Sequence, residues 1–559
     1  LAIALAALRY GLKVRDNVWA GSVPVRFTGD IGNALHQGSA VLRNGANLAR
    51  AEGKQYTLGN LPTSYLLLAY LQRYDLVAQE APDAQYNLDY TPARLLIMSF
   101  WARYVHRIDP DRSQFAQADA IPLLRLNTGC DIAAAVLTFL LVRHWVKRNR
   151  LPSRSSSESA WCLGLLAALV SWFNPSTLLD AHVWPQWDVW IVPFYLAAIF
   201  LASRDWWFIA GMCLALGAMF KGQVLMTAPV LVLWPLFAGR GSGFLRIVVG
   251  FCSCSAALSA CWLARNLDAW VWIASIAMLC GAMIAIGGRP DDRSARRWRW
   301  PIWSIVPIAA IVIRPGIAAN HWLCFLIVPI ALTPLIARRL RWSGKIVWLW
   351  TMVTACVVSS SFLFSGSWAW YWVGFAYATH HFPVMNVGSI NFATVLDSAY
   401  HWQELDVVTS LFHRDVTLKT LLATIYGTAL ALCAIGAAVR DRRNDARLLI
   451  SLTAPWVIMF CIMPQMHERY FMWAAALAGV AIATSPGMTL MSLLVIALST
   501  LNIGHTILSR NSNFWPMASS NIDPSVPSIG WTHLLLAAVF LFAALWPVRG
   551  SVKPGQSGT

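Results

Sequence analysis

Apolar runs long enough to cross a membrane recur from one end of this 559-residue chain to the other. A bilayer core about 30 Å thick is spanned by roughly 20 apolar residues of helix. Inside it every backbone polar group must find a partner within the protein, so only helices or a closed barrel can cross. The short alternating strands of a barrel are absent. The expectation is therefore an all-α polytopic membrane protein. Only 12% of the residues are charged, against roughly 25% in soluble domains.

The chain opens Leu1-Ala2-Ile3-Ala4-Leu5 without Met. Residues 1–15 read as a first transmembrane helix cut short, with neither the basic start nor the cleavage site of a signal peptide. Residues 16–119 form a long polar loop. Its spacing of Ile31, Leu35, Val41, Leu42 and Leu48 predicts amphipathic helices lying on the membrane surface. Residues 120–364 hold a first block of spans, 365–417 a second polar loop, and 418–559 the last spans. With the first, roughly 16 apolar runs are visible, some short for a crossing at ~1.5 Å per residue.

The net charge of +17 does not point to nucleic acid, because the cations sit in short loops between apolar runs. Arg143, Lys147, Arg148, Arg150 and Arg154 form one cluster. Arg289, Arg293, Arg296, Arg297 and Arg299 form a second, and Arg338, Arg339, Arg341 and Lys345 a third. Arg440, Arg442, Arg443 and Arg447 form the last. The positive-inside pattern assigns all four to the cytoplasm. Alternating the spans then puts both long polar loops, and the other unusual polar residues, on the outer side. The 11 cysteines fall almost entirely in apolar runs and form no CxxC pair, so neither a disulfide framework nor a zinc site is expected.

Five outer segments carry chemistry. Gly29-Asp30-Ile31-Gly32 offers a carboxylate able to take a proton from a hydroxyl, or simply a helix cap. In Leu88-Asp89-Tyr90-Thr91-Pro92, the Pro pushes Thr91 into extended geometry beside Asp89, a group for orienting a sugar or backing up Asp30, or simply part of a turn before a helix. Asp180-Ala181-His182-Val183-Trp184-Pro185-Gln186-Trp187-Asp188 packs two acids, a His and a Gln between spans. An interfacial aromatic belt accounts for its tryptophans but not for those polar groups. Lys221 interrupts two apolar runs where positive-inside bias does not explain it. A phosphate partner or snorkelling does, and Arg314 has a similar position. Finally, Met466-His467-Glu468-Arg469-Tyr470 sets three ionisable groups between apolar stretches, where such groups survive by facing a cavity, a partner or a ligand. Arg469 suits bidentate phosphate binding, with Glu468 positioning His467 and Arg469; the alternative is a structural His–Glu–Arg network pinning a helix end. No Gly-rich phosphate loop, HExxH or nucleophile elbow is present.

In their order along the chain these segments resemble the GT-C superfamily of integral-membrane glycosyltransferases. The nearest look is to its asparagine-linked-glycosylation glucosyltransferases and their bacterial mannosyltransferase-like relatives. Asp30 after the first span, the D-Y-x-P of Asp89, His182/Gln186/Asp188, the Phe220-Lys221-x-Gln223 stretch, Asn391 before a later helix and the M-x-H-E-R-Y segment carry the resemblance. It covers residues 30 to 470. It implies a GT-C-like helix bundle whose long extracytoplasmic first loop contains amphipathic helices. It also implies inverting hexose transfer, mannose or glucose-like, from a polyprenyl-phosphate sugar to an acceptor hydroxyl on a lipid-linked glycan, protein or polymer. Asp30 would be the base. Lys221, His467, Arg469 and Arg314 would hold the donor phosphate, and Asp89, His182, Gln186 and Asp188 the sugar or acceptor. No metal or other cofactor is implied. The location implied is a bacterial plasma membrane, with the active site facing outward. The rival expectation is a transporter or flippase of lipid-linked sugars, which would need polar residues along several spans. The spans read as clean.

Overall fold

The computed structural model describes residues 2–20, 29–51, 91–109, 117–148, 157–263, 374–375, 385–411, 414–482, 484–509 and 526–546. Asp89, Arg314, the apolar runs between 269 and 364 and the basic clusters at 289–299 and 338–345 lie outside the described residues.

The described chain is mostly helical: α1 (Ala2–Ala20), α2 (Gly29–Ala51), α3 (Pro92–Ile108), α4 (Ile121–Arg148), α5 (Ser157–Trp172), α6 (Val192–Ser203), α7 (Trp207–Phe220), α8 (Pro229–Phe237), α9 (Gly241–Leu263), α10 (Phe392–Tyr400), α11 (Leu418–Arg442), α12 (Leu448–Ile462), α13 (Phe471–Ala478), α14 (Pro486–Ser509) and α15 (Val526–Leu545). Short strands β1 (Asn386–Val387), β2 (Val407–Leu411), β3 (Arg414–Thr417) and β4 (Met466–His467) make a parallel β1–β4 pair and an antiparallel β2–β3 hairpin. Among the described residues, five helices are long and apolar enough to cross a membrane: Ile121–Arg148, Glu158–Val183, Leu418–Arg442, Pro486–Leu508 and Pro527–Leu545. The protein is a helical membrane protein.

The outline departs from expectation in two places. The boundary at residue 15 falls inside α1, which runs to Ala20. The apolar runs at 189–202, 206–219 and 224–238 become helices α6, α7 and α8 of 12, 14 and 9 residues, short of the roughly 20 a crossing takes. The second polar loop contains α10 and the β2–β3 hairpin.

The chain divides into two compact units. The first comprises residues 1–137, 177–228 and 240–383. Its described residues place α2 against α3, α6 against α7, and α7 against α9. Gly211 on α7 and Gly250 on α9 sit where any side chain would strike the other helix's backbone. Small residues at this crossing let the two helices approach closely.

The second unit comprises residues 138–176, 229–239 and 384–559. Every residue of α12 is buried, as expected of a helix apolar on all sides. Around it lie α11, α13 and α15. The basic cluster at 440–447 has local uses here. Arg440 is buried and donates to the carbonyls of Ala543, Ala544 (2.5 Å) and Trp546 (3.1 Å). Arg442 donates to Phe237 O (2.6 Å). Both cations meet the carbonyl ends of helices, α15 and α8, where positive charge is favoured.

Candidate functional site

In the first unit, one segment ties three carboxylates together. The span ending at Val183 finishes on a wide turn, with Trp184 N–H donating to Leu179 O (2.7 Å) across five residues. Such π-turns concentrate at functional sites. Asp180 and His182 therefore sit on this helical turn rather than in a loop. Helix α4 presents Asn127 and Asp131 four residues apart, hence on one face. Asn127 Nδ2 donates to Ala181 O (2.7 Å) and Gln186 O (3.0 Å), and its Oδ1 accepts from Trp190 Nε1 (2.6 Å). These bonds fix the path of residues 181–190.

From that path, alternate side chains reach different acids. His182 Nε2 lies 3.0 Å from Asp131 Oδ2, which also accepts from Arg15 Nε (2.9 Å) and a second Arg15 nitrogen (2.8 Å). Trp184 Nε1 (2.8 Å) and Gln186 Nε2 both donate to Asp30 Oδ2. Asp188 Oδ1 pairs with Lys221 Nζ, and a guanidinium nitrogen of Arg94 lies 3.9 Å away.

Arg15, Arg94, Asp131, His182, Gln186, Asp188 and Lys221 are all buried, whereas Asp30 is partly exposed. Among the described residues, Asp30 takes its hydrogen bonds from neutral donors and on one oxygen only. Trp184, Trp187 and Trp190 are interior, so a surface aromatic belt does not describe them.

Lys221, expected at a phosphate, and Asp188, expected at a sugar, are joined in one buried ion pair. Lys221 sits just past the C-terminus of α7, in extended backbone. Beside it, Thr91 Oγ1 donates to Phe220 O (2.7 Å). Thr91 is itself extended, at φ −65° and ψ 153°.

Sequence reasoning missed Arg15, Arg94, Asn127 and Asp131. The signal for two of them was present: Asn127 and Asp131 at helical spacing inside the apolar run 120–142. That run, expected to be clean, carries both.

In the second unit, α12 ends before Pro464, and the chain crosses to α13 through the M-x-H-E-R-Y segment. Three devices hold it. Asn391 caps α10 by accepting from Thr394 N–H (3.1 Å) and donates to Phe460 O (2.8 Å) and Met463 O (2.9 Å). Strand β4 pairs with β1. Gly388, at φ +84°, lies where an added Cβ would sit 2.8 Å from Glu468 Oε2. A glycine is required there both by conformation and by the space the carboxylate occupies.

Glu468 is buried, His467 and Arg469 partly exposed. Burial alone would raise the Glu468 pKa. The His467 ring, 3.8 Å away, the charge of Arg469 and the local backbone outweigh it and hold the carboxyl below its ordinary value. A carboxyl depressed on folding contributes stability above its unfolded pKa of about 4.3, and loses it as pH falls through the folded value. Glu468→Gln is therefore expected to flatten the acid limb of stability below about pH 4.3, read by thermal unfolding across pH. An unchanged acid limb would show that Glu468 does not carry this linkage.

The chain matches no protein-family profile, no curated protein and no solved structure.

Proposed function

We propose that the protein is an inverting glycosyltransferase that moves a hexose, mannose or glucose-like, from a polyprenyl-phosphate donor to an acceptor hydroxyl on the extracytoplasmic side of a bacterial plasma membrane. The carrying observation is the contrast among the acids of the first unit. Asp131 and Asp188 are buried against cations, while Asp30 is partly exposed and oriented by the neutral donors Trp184 and Gln186. A general base has to stay ionised and reach the hydroxyl it deprotonates. Held on one oxygen, Asp30 can remove the acceptor proton with the other while the acceptor oxygen attacks the anomeric carbon. The bond from the anomeric carbon to the donor phosphate breaks in the same step, and polyprenyl phosphate leaves.

Lys221 and Arg94 both face the carboxylate of Asp188. Cations of this kind suit the negative charge that grows on a departing phosphate. His467 and Arg469 share that role by the sequence resemblance. Arg469→Ala is accordingly expected to raise the donor KM by about tenfold or more, as one charge-assisted bond of roughly 1.5–3 kcal/mol is lost, with the acceptor KM little changed. Equal loss toward both substrates would assign Arg469 to structure instead.

The transporter reading gains support from one observation, the Asp131–Arg15–His182 network on a span-length helix. Ionisable groups at membrane depth also mark transport paths. The cluster is held by short bonds of 2.8–3.0 Å, which favours a fixed scaffold over a moving gate.

A further inference from the structure

In the second unit, five large apolar side chains lie exposed within nine residues of a polar loop: Tyr400, Trp402, Leu405, Val407 and Val408, with Leu405 at 62%. Exposed polar residues His401, Gln403 and Asp406 alternate with them. The segment is well tethered. His401 ends α10 in the left-handed conformation, with Trp402 N–H returning to Leu396 O (3.0 Å). Leu418 N–H donates to Asp406 O and Lys419 N–H to Glu404 O, both 2.9 Å. Lys419 Nζ reaches Glu404 Oε1 (3.2 Å). These bonds fasten the patch to the first turn of α11, a candidate span.

Two more apolar helices, α15 and α12, are marked at the same end. Phe392 of α10 lies 5.3 Å from the ring of Trp531 on the first turns of α15, and Trp531 is itself exposed. Asn391 holds the last carbonyls of α12. We propose that residues 400–408 form a membrane-interface anchor, seated at the headgroup–acyl boundary of the leaflet that α11 and α15 enter.

The occupant is phospholipid because the patch sits within about one helical turn, ~5.4 Å, of where α11 starts into hydrocarbon. Tyr and Trp with an apolar body and a polar tip are the residues that prefer that level. A water-facing patch of this composition would be an association liability. Seating it has a consequence for the M-x-H-E-R-Y turn. Gln465 donates to Glu404 Oε2 (2.8 Å), and its N–H to Met385 O (3.2 Å). The anchor therefore holds that turn at headgroup depth, whatever reaction the protein catalyses.

The test is a photoreactive diazirine amino acid placed at position 405, irradiated in phosphatidylcholine nanodiscs and read by mass spectrometry. Position 501, exposed on α14, is the lipid-facing reference, and position 415, exposed on the hairpin, the aqueous one. Lipid adducts at 405 within about twofold of those at 501 are expected for a side chain buried ~5–10 Å into the interface. A yield equal to that at 415, or cross-links to a second copy of the chain, would overturn the anchor. Should the labelled protein fail to insert, hydroxyl-radical oxidation of Trp402 on the native chain in the same nanodiscs decides. Slow oxidation relative to a free peptide of residues 398–410 supports the anchor, and an equal rate overturns it.

Discussion

Asp30→Asn is expected to lower sugar transfer by about 10²–10⁴-fold, the usual worth of a positioned general base, without unfolding the protein. The amide oxygen of Asn can still accept from Trp184 and Gln186, which now bond Asp30 Oδ2, so the 184–186 segment keeps its anchor. What is lost is basicity. Initial rates with a polyprenyl-phosphate hexose and a thermal midpoint on the same preparation separate the two effects. Full activity in this variant would remove Asp30 as the base. Lost activity with a collapsed midpoint would instead make it a structural hinge.

The second large effect is one of stability. Asp131→Asn leaves Arg15 buried without the carboxylate that now takes two of its nitrogens. Breaking a buried pair from one side costs about 3–5 kcal/mol, because the remaining charge is uncompensated. Arg15→Met should cost somewhat less, since His182 still contacts Asp131. The double variant Arg15→Met with Asp131→Leu is expected to recover much of the loss, because an apolar pair of similar volume avoids the desolvation of two charges. Unfolding of the four proteins in one detergent gives the coupling directly. Additive losses would show that the pair is not what holds α1 to α4.

The membrane character was legible from the apolar runs alone, because hydrocarbon leaves the backbone so few options. Residues 180–188 stand out in the sequence too, as two acids and a His where a loop needs none, and in the structure they are buried and hydrogen-bonded. What those side chains touch is not legible in the sequence. His182 meets Asp131 across 51 positions, Asp30 meets Gln186 across 156, and Arg15 meets Asp131 across 116. Such pairings follow from tertiary approach, which one sequence does not encode by spacing. Asp131 does not stand out because two charges, Arg125 and Asp131, do little to the mean hydropathy of a long apolar run. Lys221 stands out in the sequence by interrupting two apolar runs, but its pairing with Asp188, expected at the sugar or acceptor, does not. In the second unit, Asn391 was noted only as preceding a helix. Its larger contribution, holding the end of α12 open for the M-x-H-E-R-Y turn, depends on carbonyls about 70 residues away, at Phe460 and Met463, that helix signals such as an N-cap do not reveal.

Transfer and transport of a lipid-linked sugar part company at one bond, that between the anomeric carbon and the donor phosphate. The decisive measurement uses the intact chain in proteoliposomes with a polyprenyl-phosphate hexose labelled in the sugar and an acceptor-containing lipid fraction. The expected result is release of polyprenyl phosphate in step with appearance of labelled, anomerically inverted glycoside, both absent for Asp30→Asn. Intact donor moving from one leaflet to the other, with no polyprenyl phosphate released, would contradict glycosyl transfer.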